Sequence, residues 1–114
     1  MEANRNELSN LLHRILFECG EDENVYFQPP ETVKLKYPCV IYQLRTMTSD
    51  YADDVPYRST IGYDVTYITR DPMSDVPVKL LRSPQFAFDR YYAFENLHHY
   101  AYTTTSTLKE EING

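Results

Sequence analysis

The clearest hydrophobic pattern in the chain lies near its start, in "RNELSNLLHRILFEC" (residues 5–19). Leucine and isoleucine occupy positions 8, 11, 12, 15 and 16, the spacing of a single helical face. Asn4 is a suitable N-cap with Glu7 three residues later, and Gly20 suits a left-handed C-cap. The pattern predicts an amphipathic helix whose apolar face must pack on another element.

Most of the remaining chain alternates between apolar and polar residues, which predicts strands. The clearest is "RSTIGYDVTYITR" (58–70), and further strands are predicted at 37–48, 85–92 and 97–108. A short extended piece at 24–31 ends in two prolines, so it is predicted to be an edge or a lead-in. In strand 58–70 one predicted face carries Ile61, Tyr63, Val65 and Tyr67, and the other carries Thr60, Gly62, Asp64 and Thr66.

Residues 71–84 are predicted to form a turn and a short helix. Ser74 or Val76 would cap this helix, Pro77 suits its first turn, and Pro84 prevents it from continuing. The resulting order is α-β-β-β-α-β-β. It indicates an α+β fold, with a mostly antiparallel sheet and the N-terminal amphipathic helix packed on one face.

The length of 114 residues predicts a single domain spanning 1–114, with "KEEING" at its end as a frayed polar tail. The net charge of −6 argues against nucleic acid as the main partner, because phosphate binding needs clustered basic residues. No apolar run is long enough to cross a membrane and the start has no signal pattern, so we expect a protein assembled in a cytosol. Cys19 and Cys39 are too few for a disulfide framework, and we expect buried free thiols.

Three carboxylates, Asp50, Asp53 and Asp54, raise the question of a metal site between two long strands. Their spacing lacks the alternating ligands and the central glycine of a calcium loop, so residues 49–57 are interpreted as a mobile hairpin connection that can dock on a partner. His98 and His99 are adjacent on a strand and would point to opposite faces, so they cannot share a metal ion.

Nothing in the sequence predicts catalysis. The chain has three glycines and no phosphate-binding loop, and no nucleophile stands near a base in sequence. We therefore expect no enzyme, no cofactor and no bound metal. Asp89 and Arg90 are interpreted as a structural salt bridge or an interface contact, one of the two facing inward, and the run Thr103–Thr107 as an exposed edge.

Tyrosine is unusually frequent, with eleven residues beside five phenylalanines and no tryptophan. Its flat apolar face and polar tip suit half-buried strands and surfaces that contact other proteins.

Three stretches carry a combination of motifs that is more specific than any one of them: "VYFQPPETVKLKYPCVIYQL", "YADDVPYRSTIGYDVTYITRDPMSDVPVKLL" and "FDRYYAFENLHHYAYT", which cover roughly residues 25–103. Together they resemble a family of small proteins of tailed bacteriophages. One departure from the family pattern is Glu95, where an aspartate is expected. The resemblance is carried by Tyr26 to Pro30, Tyr37, Pro38, Tyr51 to Asp53, Pro56, Tyr57, Tyr63, Val65, Thr66, Ile68, Pro72, Ser74, Phe88 to Arg90, Tyr92, Asn96, Leu97 and His99.

The resemblance implies a virion protein of the neck or tail, of the tail-terminator or tail-completion family. Such a protein forms a homo-oligomeric ring, a hexamer, that caps the tail tube and joins it to the head–neck connector or stopper. DNA would pass through its lumen without specific binding, and no membrane would be involved. The expected interface residues are Tyr51, Asp53, Asp54, Tyr57, Arg58, Asp89, Arg90, Tyr92 and His99.

Two other interpretations remain open. The chain could be another neck ring, such as a head-completion, adaptor or stopper protein, which would bind portal-side proteins instead of the tail tube. It could also be a small phage protein that binds a host protein as a monomer or dimer, in which case no ring would form.

Overall fold

Within the residues that it describes, this computed structural model has two helices and five strands. The structure describes the backbone of residues 2–52 and 55–108, and the side chains of residues 4–49 and 59–106. The strand order in the sheet is β1-β2-β3-β5-β4, antiparallel except for the β1–β2 pair, so the predicted α+β class is confirmed. The elements are α1 (Glu2–Glu18), β1 (Val25–Phe27), β2 (Cys39–Ala52), β3 (Val55–Thr69), α2 (Val76–Arg82), β4 (Phe86–Phe94) and β5 (Leu97–Leu108).

The core lies between one face of the sheet and the two helices. The predicted inner face of β3 is confirmed, because Ile61, Tyr63, Val65 and Tyr67 are each at most 1% exposed. The leucine stripe of α1 and the inner face of α2 pack against these residues. Burying one such side chain contributes about 1.5–3 kcal/mol, so this interface is the main source of stability.

The C-terminal end of α1 lies where the sequence predicts it, whereas its N-terminal end does not. Gly20 has φ +71°, and the Gly20 and Glu21 amides donate to the Phe17 and Leu16 carbonyls at 3.0 Å each, which is a Schellman motif. The predicted N-cap at Asn4 is wrong, because the helix begins at Glu2. Asn4 Nδ2 instead donates to Ser106 Oγ on β5 at 2.7 Å.

The short helix α2 begins one position away from either predicted cap. Its N-cap is Asp75, while the Ser74 hydroxyl accepts the Val76 amide at 3.3 Å, and Pro77 lies in the first turn as predicted. The Tyr102 hydroxyl donates to the Pro77 carbonyl at 2.7 Å, which fixes α2 to the sheet.

The run Thr103–Thr107 was predicted to be an exposed edge of the sheet, and the structure differs from this prediction at its first two residues. Thr103 and Thr104 pair with β3 on one side and with β4 on the other, so β5 is an inner strand there. Within the described residues, β5 has a single neighbour only from Thr105 onward. The edge strands are the three-residue β1 and the nine-residue β4.

The stretch interpreted as a loop at 49–57 is mostly strand. β2 and β3 continue pairing as far as Asp50 with Arg58 and Ala52 with Val55, and β5 pairs with β3 only from Ser59. Four residues of β3 therefore extend past β5, which is about 14 Å at 3.4 Å per residue. Asp53 and Asp54 lie outside the described residues, as does the predicted tail at 109–114.

Both cysteines are free thiols, but only one is buried. Cys39 is 0% exposed, and burial raises its pKa to about 12, whereas Cys19 is only half-buried. Neither described helix is long and apolar enough to span a membrane.

Candidate functional site

The residues expected at an interface separate into two groups at opposite ends of the sheet. Tyr51, Tyr57 and Arg58 lie on the β2–β3 hairpin; their backbone is described and their side chains, like Asp53 and Asp54, lie outside the described residues. The second group lies on β4 and β5, where His99 pairs with Ile68 of β3. Ile68 is ten residues from Arg58 along β3, about 34 Å, so the structure does not bring the two groups together.

Three residues of the second group form one stack. The rings of Tyr92 and His99 lie 4.5 Å apart with an interplanar angle of 12°, and the guanidinium carbon of Arg90 lies 5.3 Å from the Tyr92 ring centre. A cation over an aromatic face is worth about 0.5–1 kcal/mol at an exposed site, so the stack orders these side chains modestly.

The prediction that one residue of the Asp89–Arg90 pair faces inward is wrong. A register shift between Phe88 and Arg90 explains the difference. The shift is a bulge that places Asp89 as the extra residue on the edge strand, and both side chains are exposed.

The other face of the same hairpin carries a second stack. Tyr91 lies over His98 with ring centres 6.0 Å apart, and the Tyr91 hydroxyl is 2.7 Å from His98 Nδ1. His98 and His99 thus use opposite faces of the sheet, as the alternation predicted. Among the residues that the structure describes, no three metal-ligating side chains lie together.

The edge strand β4 exposes large aromatic side chains on both of its faces. Phe88, Tyr91, Tyr92 and Phe94 are 47%, 48%, 42% and 65% exposed. An edge strand also presents unpaired backbone groups, so this strand is a suitable place for another chain to bind.

The sheet face opposite the two helices, which we call the open face, is lined by Gln43, Asp64, Thr66, His99 and other alternating residues. A shallow hollow of about 230 Å³ lies between Ile41, Asp64 and His99. Asp64 Oδ1 is 3.4 Å from Arg45 Nε across the strands, and this half-exposed pair contributes little stability.

A wide groove of about 730 Å³ separates residues 28–35 from β2. Gln28, with φ +42°, turns the chain away from the sheet, and its side-chain carbonyl accepts the Leu44 amide at 3.0 Å. The side chain of Gln28 therefore replaces the backbone partner that β1 would have supplied to β2, and no pattern in the sequence indicated this.

A cluster of two hydroxyls and one carboxylate joins three elements beneath the helices. The Tyr67 hydroxyl donates to Glu21 Oε1, and Ser74 Oγ donates to Glu21 Oε2 at 2.5 Å, with the two hydroxyl oxygens 2.8 Å apart. Tyr67 is fully buried, and burial followed by the Glu21 contact raises the pKa of its phenol. The cluster fastens the end of α1 and the start of α2 to β3, and this is a structural role.

No family model, no curated protein and no solved structure matches this chain. The bacteriophage resemblance therefore stays a prediction, and the function has to be argued from the residues themselves.

Proposed function

We propose that this protein is a structural component of a tailed-bacteriophage virion, a tail terminator or tail-completion protein. Six copies form a ring that caps the head-proximal end of the tail tube and joins it to the head–neck connector. The motif series from Tyr26 to His99 is the reason for choosing this assembly. No catalytic step and no cofactor is part of the proposal.

The observation that supports ring formation is the exposed aromatic edge of β4. A closed ring needs a heterologous contact, in which two different surfaces of one subunit meet on neighbouring copies. β4 offers one such surface, with Phe94 65% exposed at its end. The β2–β3 hairpin, about 34 Å along β3 from the position opposite His99, offers a different one.

The charge of the chain is compatible with a channel that DNA traverses. Seventeen acidic residues outnumber eleven basic ones, for a net charge of −6. Like charges repel, so a lumen lined by acidic residues would let DNA pass without holding it.

Native mass spectrometry of the purified chain, alone and with the tail-tube protein of its phage, tests the proposal. A closed hexamer, or one that forms only on tube ends, is expected. A monomer or dimer that ignores tubes would contradict it. Binding to portal-side proteins would then favour another neck ring, and binding to a host protein would favour the third interpretation.

A matched pair of variants tests whether β4 is the contact. Phe94→Asp places a charge on the edge strand and should abolish the ring. Phe17→Asp changes a phenylalanine of similar exposure, 71%, on α1 and should leave it intact. Loss of the ring in Phe17→Asp alone would place the contact on the helices and remove β4 from the proposal.

A further inference from the structure

The outer edge of β2 is free over its second half. Within the described residues, β1 pairs with β2 only at Val40–Tyr42, and the Gln28 side chain accepts the Leu44 amide at 3.0 Å. From Thr46 to Ala52, β2 pairs with β3 alone. A free strand edge of this length is a template to which a further strand can add.

The nine-residue strand β4 is a complementary edge on the other side of the same sheet. The pairs β2–β3, β3–β5 and β5–β4 are all antiparallel, so β4 runs antiparallel to β2. Copies that join edge to edge around a ring keep the direction of their strands. The strand β4 of one copy therefore meets β2 of the next copy as an antiparallel strand, which continues the pattern of the sheet.

The antiparallel direction brings the end of β4 to the groove between residues 28–35 and β2. Because the start of β4 then lies toward Ala52, Phe94 at its end arrives beside Leu44, which lines that groove. The groove has a volume of about 730 Å³ and accepts a phenyl ring, since a dry cavity of about 150 Å³ already holds benzene. Its apolar lining also includes Pro29, Pro30, Val33 and Leu35.

The groove and the Phe94 side chain lie on the same face of the sheet. Phe94 is two residues from Tyr92, whose ring stacks on His99 on the open face, so Phe94 points to that face as well. Ile41 and Gln43 line both the groove and the hollow on the open face. A copy that adds edge to edge thus reaches the groove without turning its sheet over.

The opposite face of the two edges offers a second contact. Met47 pairs with Ile61 and so lies on the helix side of the sheet, where it is 56% exposed. Tyr91 lies on the same side of β4. Tyr91 is three residues before Phe94 and Met47 is three residues after Leu44, so the register that seats Phe94 places Tyr91 opposite Met47. A methionine sulfur packs favourably against an aromatic ring.

We propose that β4 of one copy adds to the free edge of β2 in the next copy, and that Phe94 inserts into the groove lined by Pro29, Pro30 and Val33. This contact rests on the proposed ring and names the surfaces that close it. Two different edges meet, so the contact is heterologous and repeats around a ring.

Photo-crosslinking locates the side chain at position 94 in the assembly. Phe94 is replaced by the photoreactive analogue benzoylphenylalanine, and chains labelled with light and heavy nitrogen are mixed and irradiated, alone and on tail tubes. Mass spectrometry then separates links between copies from links within one copy. The expected links join position 94 of one copy to residues 28–44 of another.

The other outcomes separate this contact from the ring itself. A hexamer whose links join position 94 to residues 86–94 of another copy would indicate β4 strands paired about a twofold axis, and links to the helices would indicate a different docking site. Either result overturns the contact and leaves the ring. An absence of both hexamers and links between copies would contradict the contact and the ring together.

A matched pair of valine variants tests the groove with Phe94 unchanged. Val33→Asp places a carboxylate in the groove and should lower the hexamer fraction in native mass spectrometry by more than about tenfold, because burying an unpaired charge is costly. Val78→Asp changes a valine of similar exposure on α2, 47% against 39%, and should leave the hexamer fraction unchanged. An unchanged hexamer fraction in Val33→Asp, or an equal loss in both variants, would overturn the proposal.

Discussion

At the scale of single residues, Gly62 shows how closely β2 approaches β3. A Cβ atom there would lie 2.7 Å from Thr46 Cγ2 and 2.8 Å from a guanidinium nitrogen of Arg45. The arginine end can move away, although it would leave Asp64, but the β-branched threonine is stiff. We expect Gly62→Ala to lower the free energy of unfolding by about 1–3 kcal/mol, measured by urea denaturation. This loss exceeds the stabilisation of roughly 0.4–1 kcal/mol that alanine provides because it restricts the unfolded chain more than glycine does.

The same substitution in a Thr46→Ser background isolates the cause. Serine lacks the Cγ2 methyl group that meets the new Cβ, so part of the lost stability should return. An equal loss in both backgrounds would show that Thr46 is not the obstacle.

Two buried tyrosines on the same face of β3 should respond oppositely to the loss of a hydroxyl group. The Tyr67 hydroxyl contacts Glu21 and Ser74, so Tyr67→Phe should lower the free energy of unfolding by about 1–3 kcal/mol. The Tyr63 hydroxyl has no partner among the described residues, so Tyr63→Phe should raise it by up to about 1 kcal/mol. Thermal unfolding of both variants measures this, and a loss of stability in Tyr63→Phe would mean that bound water already satisfies the hydroxyl.

At the scale of secondary-structure elements, the β2–β3 hairpin extends beyond the rest of the sheet. The described backbone of residues 50–58 pairs only within the hairpin, because β5 pairs with β3 from Ser59 onward. Replacing residues 50–58 with Asn-Gly, which favours a tight turn after Ser49, should change the free energy of unfolding by less than about 1 kcal/mol. Urea denaturation measures this.

The same shortened chain separates folding from assembly. If the hairpin is the second ring contact, native mass spectrometry should show a folded monomer and no hexamer. A shortened chain that still forms hexamers would remove the hairpin from the proposed contact. A chain that fails to fold would show that the extension stabilises the sheet.

Elements with a regular hydrophobic period were predictable from the sequence. The helical stripe of α1 and the alternation of β3 were found because each buries one face, and Gly20 marked the end of α1 because its φ is positive. The position of β5 inside the sheet was not predictable, because strand order depends on long-range pairing that a local pattern does not contain. The stack of Arg90, Tyr92 and His99 requires the bulge at Asp89, which has no sequence signal.

At the scale of the whole molecule, the concentration of phenol and thiol groups in the core makes stability sensitive to alkali. Burial raises the pKa of the Cys39 thiol and of the Tyr102 phenol to about 12 each, against ordinary values of 9.0 and 10.0. Burial raises the pKa of Tyr67 as well. Above pH 9 the unfolded chain loses these protons while the folded chain keeps them, so the unfolded state binds fewer protons and stability falls.

The first part of this loss should come from Cys39. Its contribution to stability is complete below about pH 9 and decreases as the pH rises toward 12, with a slope of at most about 1.4 kcal/mol per pH unit. Between pH 9 and 10, before the unfolded phenols lose most of their protons, Cys39→Ala should flatten the dependence, although its stability at pH 7 is lower because a methyl group fills the site less well. Urea denaturation at closely spaced pH values measures the slope.

Cys19→Ala removes a half-buried thiol and should keep most of the slope of the unaltered chain. If Cys39→Ala kept that slope too, the loss of stability would have to begin with the tyrosines, and the pKa of the Cys39 thiol would be the same in the folded and the unfolded chain.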